Sequence, residues 1–106
     1  MIELTGTEKQ IAWATDIRAK FIANAAKKSA HWRDDIAGCI EDDDSEGAAW
    51  ATEKLEKLNR LTAEILNEVS RAGWWIDYGR ADADIVIREF DSVKRGIALD
   101  GSKRIR

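Results

Sequence analysis

Few side chains in this sequence could catalyse a reaction or bind a metal ion, and their spacing does not favour either role. His31 and Cys39 are the only histidine and the only cysteine, so a zinc site would need two carboxylates that no spacing supplies. Eight residues do not place His31 and Cys39 on one helix face, which argues against a cysteine nucleophile with a histidine base. The glycines occur singly, and no carboxylate pair is marked for acid–base work. The sequence therefore predicts neither an enzyme nor a cofactor, and Cys39 is interpreted as a small buried apolar residue.

The strongest local charge lies in the middle of the chain. Residues 31–46 contain seven acidic residues and one arginine, a net charge of −6. We predict an exposed acidic loop over residues 41–46, with Ser45 as the N-cap of the next helix. This loop is a candidate protein-binding surface, and its acidic members are Glu41, Asp42, Asp43, Asp44 and Glu46.

Part of this segment follows the order of a calcium-binding loop. If Asp42 is position one, acidic residues occupy positions three, five and twelve, and Gly47 occupies position six. Position five is glutamate, position eight is alanine, and the chain has no second such loop. The prediction is therefore a solvated acidic turn without a bound metal.

Hydrophobic periodicity predicts an all-α fold. The chain has no proline to interrupt a helix. Thr7 and Gln10 have capping-box spacing and begin a helix that we expect to end near Lys28. Its apolar stripe is Ile11, Ala14, Ile17, Phe21 and Ala25. A shorter helix over residues 30–40 should follow a turn near Ser29, with one continuous helix as the alternative.

Two further helices complete the predicted architecture. The apolar stripe of the first of these helices is Ala51, Leu55, Leu58, Thr62, Ile65, Val69 and Ala72. This stripe extends to Ile76 if the helix continues through Gly73. The last predicted helix is capped by Asp82, and its apolar stripe is Val86, Phe90, Val93 and Ile97. We predict one domain over residues 1–106, a small helical bundle of three main helices with an optional short fourth. A loose basic tail should follow over residues 100–106.

Composition limits the environment and the partners. No segment is long and apolar enough to span a bilayer, and the first residues lack the pattern of a secretory signal, so a cytoplasmic protein without membrane contact is expected. The net charge of −3 gives no overall basic field for nucleic acid. A nucleic-acid-binding alternative would use the C-terminal basic residues Lys94, Arg95, Lys103, Arg104 and Arg106.

Five tryptophans are many for 106 residues. Most of them lie in or beside an apolar stripe, so core packing is the predicted role for most. Adjacent helical residues point about 100° apart, so Trp74 and Trp75 should not share one interior face. One of these two rings is expected to be partly exposed and to contact a partner protein.

Two stretches carry a resemblance to a group of proteins. The opening Leu4-Thr5-Gly6-Thr7-Glu8-Lys9-Gln10-Ile11-Ala12-Trp13-Ala14, followed by Ile17-Arg18, resembles that of uncharacterised small proteins of bacteria, phages and mobile elements. Trp74-Trp75-Ile76-Asp77 resembles a second signature of the same group. The resemblance implies a bacterial or mobile-element context, in which small proteins often bind a host factor, including inhibitors of CRISPR systems. It implies no catalytic residues.

These observations favour a non-enzymatic protein-binding module. It would inhibit a host defence or nucleic-acid-handling protein through the acidic surface, in the manner of an anti-CRISPR protein. Direct nucleic-acid binding through the basic C-terminal segment is the first alternative. Self-association as a homodimer through the stripe over residues 51–72 is the second.

Overall fold

The computed structural model describes residues 1–96 and 104–106, and this part of the chain is all-α. Four helices follow in order: α1 Glu8–Glu41, α2 Ser45–Glu68, α3 Ala72–Tyr78 and α4 Ala83–Lys94. Helices α1 and α2 form a long antiparallel hairpin, against which the shorter α3 and α4 pack. The predicted bundle of three main helices with a short fourth is confirmed, but the short helix is α3 rather than residues 30–40.

Helix α1 begins as predicted and ends much later. The Thr7 hydroxyl accepts a hydrogen bond from the Gln10 amide at 3.1 Å, and the Gln10 side chain accepts one from the Thr7 amide at 3.0 Å. The break expected near Lys28 and Ser29 is wrong, because α1 runs unbroken to Glu41. Ser29 is buried and its hydroxyl donates to Asn59 Oδ1 at 2.9 Å, so it joins α1 to α2 instead of ending α1.

Most residues of the predicted stripes join one core. Helix α1 buries Ala14, Ile17, Phe21 and Ala25, whereas α2 buries Ala51, Leu58, Leu61 and Ile65. Most of the stripe of α2 thus packs within the chain, on α1 and α4.

The long helix does not continue through Gly73 to Ile76. Helix α2 ends at Glu68, and Val69 and Arg71 adopt extended backbone conformations before α3. The N-terminal segment holds this connection, since the Thr5 amide donates to Ser70 O at 2.7 Å and the Ala72 amide donates to Thr5 O at 2.9 Å. Backbone pairing with a distant segment therefore ends the helix before Gly73.

The last residues of the chain also pack on this connection. The amides of Ser70 and Arg71 both donate to Ile105 O, at 3.0 and 3.1 Å, and the Ile105 side chain packs against the core. The prediction of a loose tail is therefore wrong for residues 104–106. Ile97, Lys103 and the rest of the predicted tail lie outside the described residues.

Deleting residues 104–106 is expected to lower the free energy of unfolding by about 1–3 kcal/mol, because two backbone amides lose their acceptor and the core loses Ile105. Urea denaturation followed by circular dichroism measures this change. Deletion of Arg106 alone is the matched control and should cost less than about 0.5 kcal/mol. Equal stability of the two truncated chains would contradict the packing of Ile105.

The third layer of the bundle covers only part of the α1–α2 hairpin. Lys28 on α1 bonds Asp82 and Asp84 at the start of α4, and Lys94 at the end of α4 bonds Glu68 at the end of α2. Beyond Lys28 the hairpin continues as a two-helix projection, residues 30–57, which we call the distal arm. It gives the molecule its elongated dimensions of 52 × 27 × 19 Å. None of the helices in the described part of the chain has both the length and the apolarity to cross a membrane.

Candidate functional site at the distal arm

A tight turn closes the distal arm. Asp42 caps the end of α1, and Asp43 adopts a positive φ of 56°, which aspartate tolerates better than most residues. Asp44 then caps α2, because its carboxylate accepts from the Gly47 amide at 2.9 Å. The prediction of Ser45 as the N-cap is wrong by one residue. A Cβ atom at Gly47 would overlap the Asp44 carboxylate, so a larger residue here would displace the capping side chain.

The turn places the predicted acidic residues together at the end of the arm. All five are exposed, and none forms an ion pair with any residue that the structure describes. We call this surface the acidic tip; its members are Glu41, Asp42, Asp43, Asp44 and Glu46. Unpaired carboxylates on a projecting turn produce a concentrated negative potential that a basic surface can approach from several directions.

The acidic tip does not have the form of a calcium-binding loop. Residues 45–53, which would supply most of such a loop, are already part of α2. Among residues 1–96 and 104–106, no group of three or more histidine, cysteine, aspartate or glutamate side chains is arranged to hold a metal ion.

Large apolar side chains lie beside the acidic tip. Ile40 is 66% exposed and Trp50 is 56% exposed. The Trp50 ring meets the half-buried Trp32 edge-on, with a centroid separation of 5.4 Å, and Lys54 Nζ lies 5.6 Å from its centroid. The arm therefore combines charge with apolar area, which is the composition of a protein interface rather than of a purely solvated surface.

A shallow cavity connects Ile40 to the acidic tip. Its volume is about 300 Å³, and Cys39, Ile40, Asp44 and Ala48 are among the residues that line it. Partial burial, followed by the charges of Asp44, Asp35 and Asp42, raises the pKa of the Cys39 thiol. The raised pKa favours the protonated thiol, but Cys39 is only half-buried, so the prediction of a buried apolar residue is wrong.

Trp74 and Trp75 are not at the surface. Both are fully buried, so the expectation that one ring is partly exposed is wrong. The two rings lie at 86° to each other, and Trp75 meets Phe21 of α1 at 5.4 Å while its Nε1 donates to Val69 O at 3.1 Å. The short helix α3 is covered on more than one side, so residues that point about 100° apart both reach the core. Neither ring offers a contact for a partner.

The basic C-terminal residues lie at the other end of the molecule from the acidic tip. Lys94 pairs with Glu68 at 2.6 Å, Arg95 pairs with Asp91 at 3.1 Å, and Arg106 lies 3.9 Å from Glu68. Arg104 is exposed, and Lys103 is outside the described residues. Two carboxylates, Glu68 and Asp91, thus face the four described cations and reduce the positive field that this surface presents to phosphate.

Sequence reasoning missed the exposure of Trp50. The available signal was its register, since Trp50 precedes Ala51 of the buried stripe and so points about 100° away from it.

Comparison of the chain with protein-family models, with curated proteins and with solved structures finds no match. Fold and surface together define an all-α bundle with a projecting acidic and apolar arm.

Proposed function

We propose that this chain is a non-enzymatic protein-binding module whose distal arm contacts a basic surface of a partner protein. The observation that carries the proposal is the unpaired acidic tip on a two-helix projection, next to the exposed Ile40 and Trp50. The carboxylates steer the encounter and select a basic partner, and the apolar side chains supply the area that is desolvated on binding.

The partner class follows from the charge pattern. A row of carboxylates on an exposed turn can occupy a groove that otherwise receives nucleic-acid phosphates. The partner is a cytoplasmic nucleic-acid-handling or defence protein of a host cell, and binding blocks its groove as an anti-CRISPR protein would. The resemblance of the two sequence signatures to small phage and mobile-element proteins supports this context.

The test is a tagged capture from bacterial lysate, with and without nuclease, using a variant of the acidic tip. The variant carries Asp42→Asn, Asp43→Asn and Asp44→Asn. Asparagine keeps the N-cap at position 44 and tolerates the positive φ at position 43, so the turn should survive. We expect capture of a basic protein that resists nuclease and falls at least about tenfold with the variant, a loss of roughly 1.4 kcal/mol.

A matched control removes the same charge elsewhere. Glu3→Gln, Asp16→Asn and Asp77→Asn change three exposed acids outside the distal arm and should leave capture unchanged. Equal loss in both triple variants would show a general charge effect and contradict the assignment to the acidic tip. Capture that disappears with nuclease would transfer the function to nucleic acid.

A further inference from the structure

A second candidate site lies outside the distal arm, in a groove between α1 and the connection from α3 to α4. The groove has a volume of about 650 Å³, which is within the usual range for small-molecule sites. Trp13, Ile17, Lys20 and Phe21 line it from α1, and Gly79 and Arg80 line it from the connection.

Arg80 is held in place by two contacts. Its Nε donates to Ile76 O at 3.0 Å, and its guanidinium carbon lies 5.4 Å from the centroid of the Trp13 ring. Its terminal nitrogens have no partner among the described residues. A guanidinium that is oriented before binding loses less conformational entropy when an anion arrives.

The groove contains two cations that are not neutralised by a direct ion pair. Lys20 and Arg80 have no ion-pair partner in the described parts of the chain. Asp82 is occupied by Lys28 at 2.9 Å, and this hydrogen bond lowers the pKa of Asp82. Asp16 is the remaining unpaired carboxylate, so two free cations face one free anion. Lys28 also pairs with Asp84 at 2.8 Å, so the charges around the groove balance overall, and its distinguishing feature is two cations without an ion-pair partner.

The walls of the groove supply apolar area. Trp13 is 49% exposed, so part of its ring is available beside the Arg80 guanidinium. Ile17 and Phe21 of the core form the floor next to it. A ring or short aliphatic chain can lie on these side chains while an attached anion reaches the cations.

We propose that this groove binds a small molecule in which a carboxylate or phosphate is attached to an aromatic or apolar body. The anionic group lies between Arg80 and Lys20, and the body lies against Trp13 over the floor of Ile17 and Phe21. The site is separate from the distal arm and does not depend on the function proposed for it.

The experiment titrates the ¹⁵N-labelled protein with phenyl phosphate, benzoate and the uncharged benzyl alcohol, and follows the indole signal of Trp13 by NMR. The Trp13→Phe variant assigns that signal. We expect a saturable shift with at least one anion and binding at least about tenfold weaker for benzyl alcohol. The two anions separate a phosphate site from a carboxylate site.

Variants of the cations test the geometry. Arg80→Gln and Lys20→Gln should each weaken binding several-fold, and Arg80→Lys should restore only part of it because lysine lacks the planar donor pair. Arg88→Gln, an exposed arginine of α4, is the control and should bind as the parent does. No saturable shift with either anion, equal binding of benzyl alcohol, or unchanged binding by both folded Arg80→Gln and Lys20→Gln would overturn the proposal.

Discussion

Replacing Trp75 with alanine is expected to lower the free energy of unfolding by about 3–5 kcal/mol. The ring is fully buried, meets Phe21 and Trp74 edge-on, and donates its indole hydrogen bond to Val69 O. Alanine would leave a cavity among α1, α3 and the connection after α2. Domains of this size are stable by only about 5–15 kcal/mol, so a large part of the stability would be lost. Urea denaturation followed by circular dichroism is the measurement.

Two further variants separate ring volume from the hydrogen bond and from tryptophan content. Trp75→Phe keeps most of the buried volume but leaves Val69 O without its donor, so an intermediate loss of about 1–3 kcal/mol is expected. Trp50→Ala removes a ring that is 56% exposed and should cost less than about 1 kcal/mol. If Trp50→Ala destabilised the chain as much as Trp75→Ala, the assignment of Trp75 to the core would be wrong.

The sequence correctly predicted the features that are determined by residues close to one another along the chain. The capping box at Thr7 and most of the stripes of α1, α2 and α4 depend on neighbours within one or two turns, and these are found where the pattern indicated. The errors arose where a distant segment decides the outcome. Ser29 stays helical while it bonds Asn59 of α2, and α2 ends where Thr5 pairs with Ser70 and Ala72.

The candidate site shows the same division. The exposure of the acidic tip was predictable, because five acids within six residues are rarely buried, but the loop is shorter than the predicted 41–46, since Glu41 ends α1 and Glu46 lies in α2. The burial of both Trp74 and Trp75 was not predictable, since it depends on how distant segments cover α3. Coverage beginning near Lys28 leaves Trp50 exposed, and the packing of α3 buries Trp74 and Trp75. The groove at Trp13 and Arg80 joins two distant segments and had no sequence signal.

The acidic tip and the groove at Trp13 and Arg80 are expected to bind their ligands independently. The acidic tip lies at the end of the distal arm, whereas the groove lies against the packed core. Residues far apart with no shared partners usually contribute additively to the free energy. Variants of Asp42 to Asp44 should therefore leave anion binding in the groove unchanged, and Arg80→Gln should leave capture by the acidic tip unchanged.

Replacing Gly79 with alanine is expected to destabilise the fold by about 1–3 kcal/mol, through crowding rather than backbone strain. Gly79 has an ordinary φ of −80°, but an added Cβ would lie 2.7 Å from both the carbonyl oxygen and a ring carbon of Trp75. It would also lie 3.0 Å from Ile17 Cγ2, so the core could not absorb it without moving α3 away from α1.

Thermal unfolding measures the change, with Gly73→Ala as the matched control. At position 73 the nearest atom is the Arg71 side chain at 3.5 Å, so alanine should be tolerated or should stabilise α3 by up to about 1 kcal/mol. Equal melting temperatures for the two alanine variants would contradict the close approach of α3 to α1.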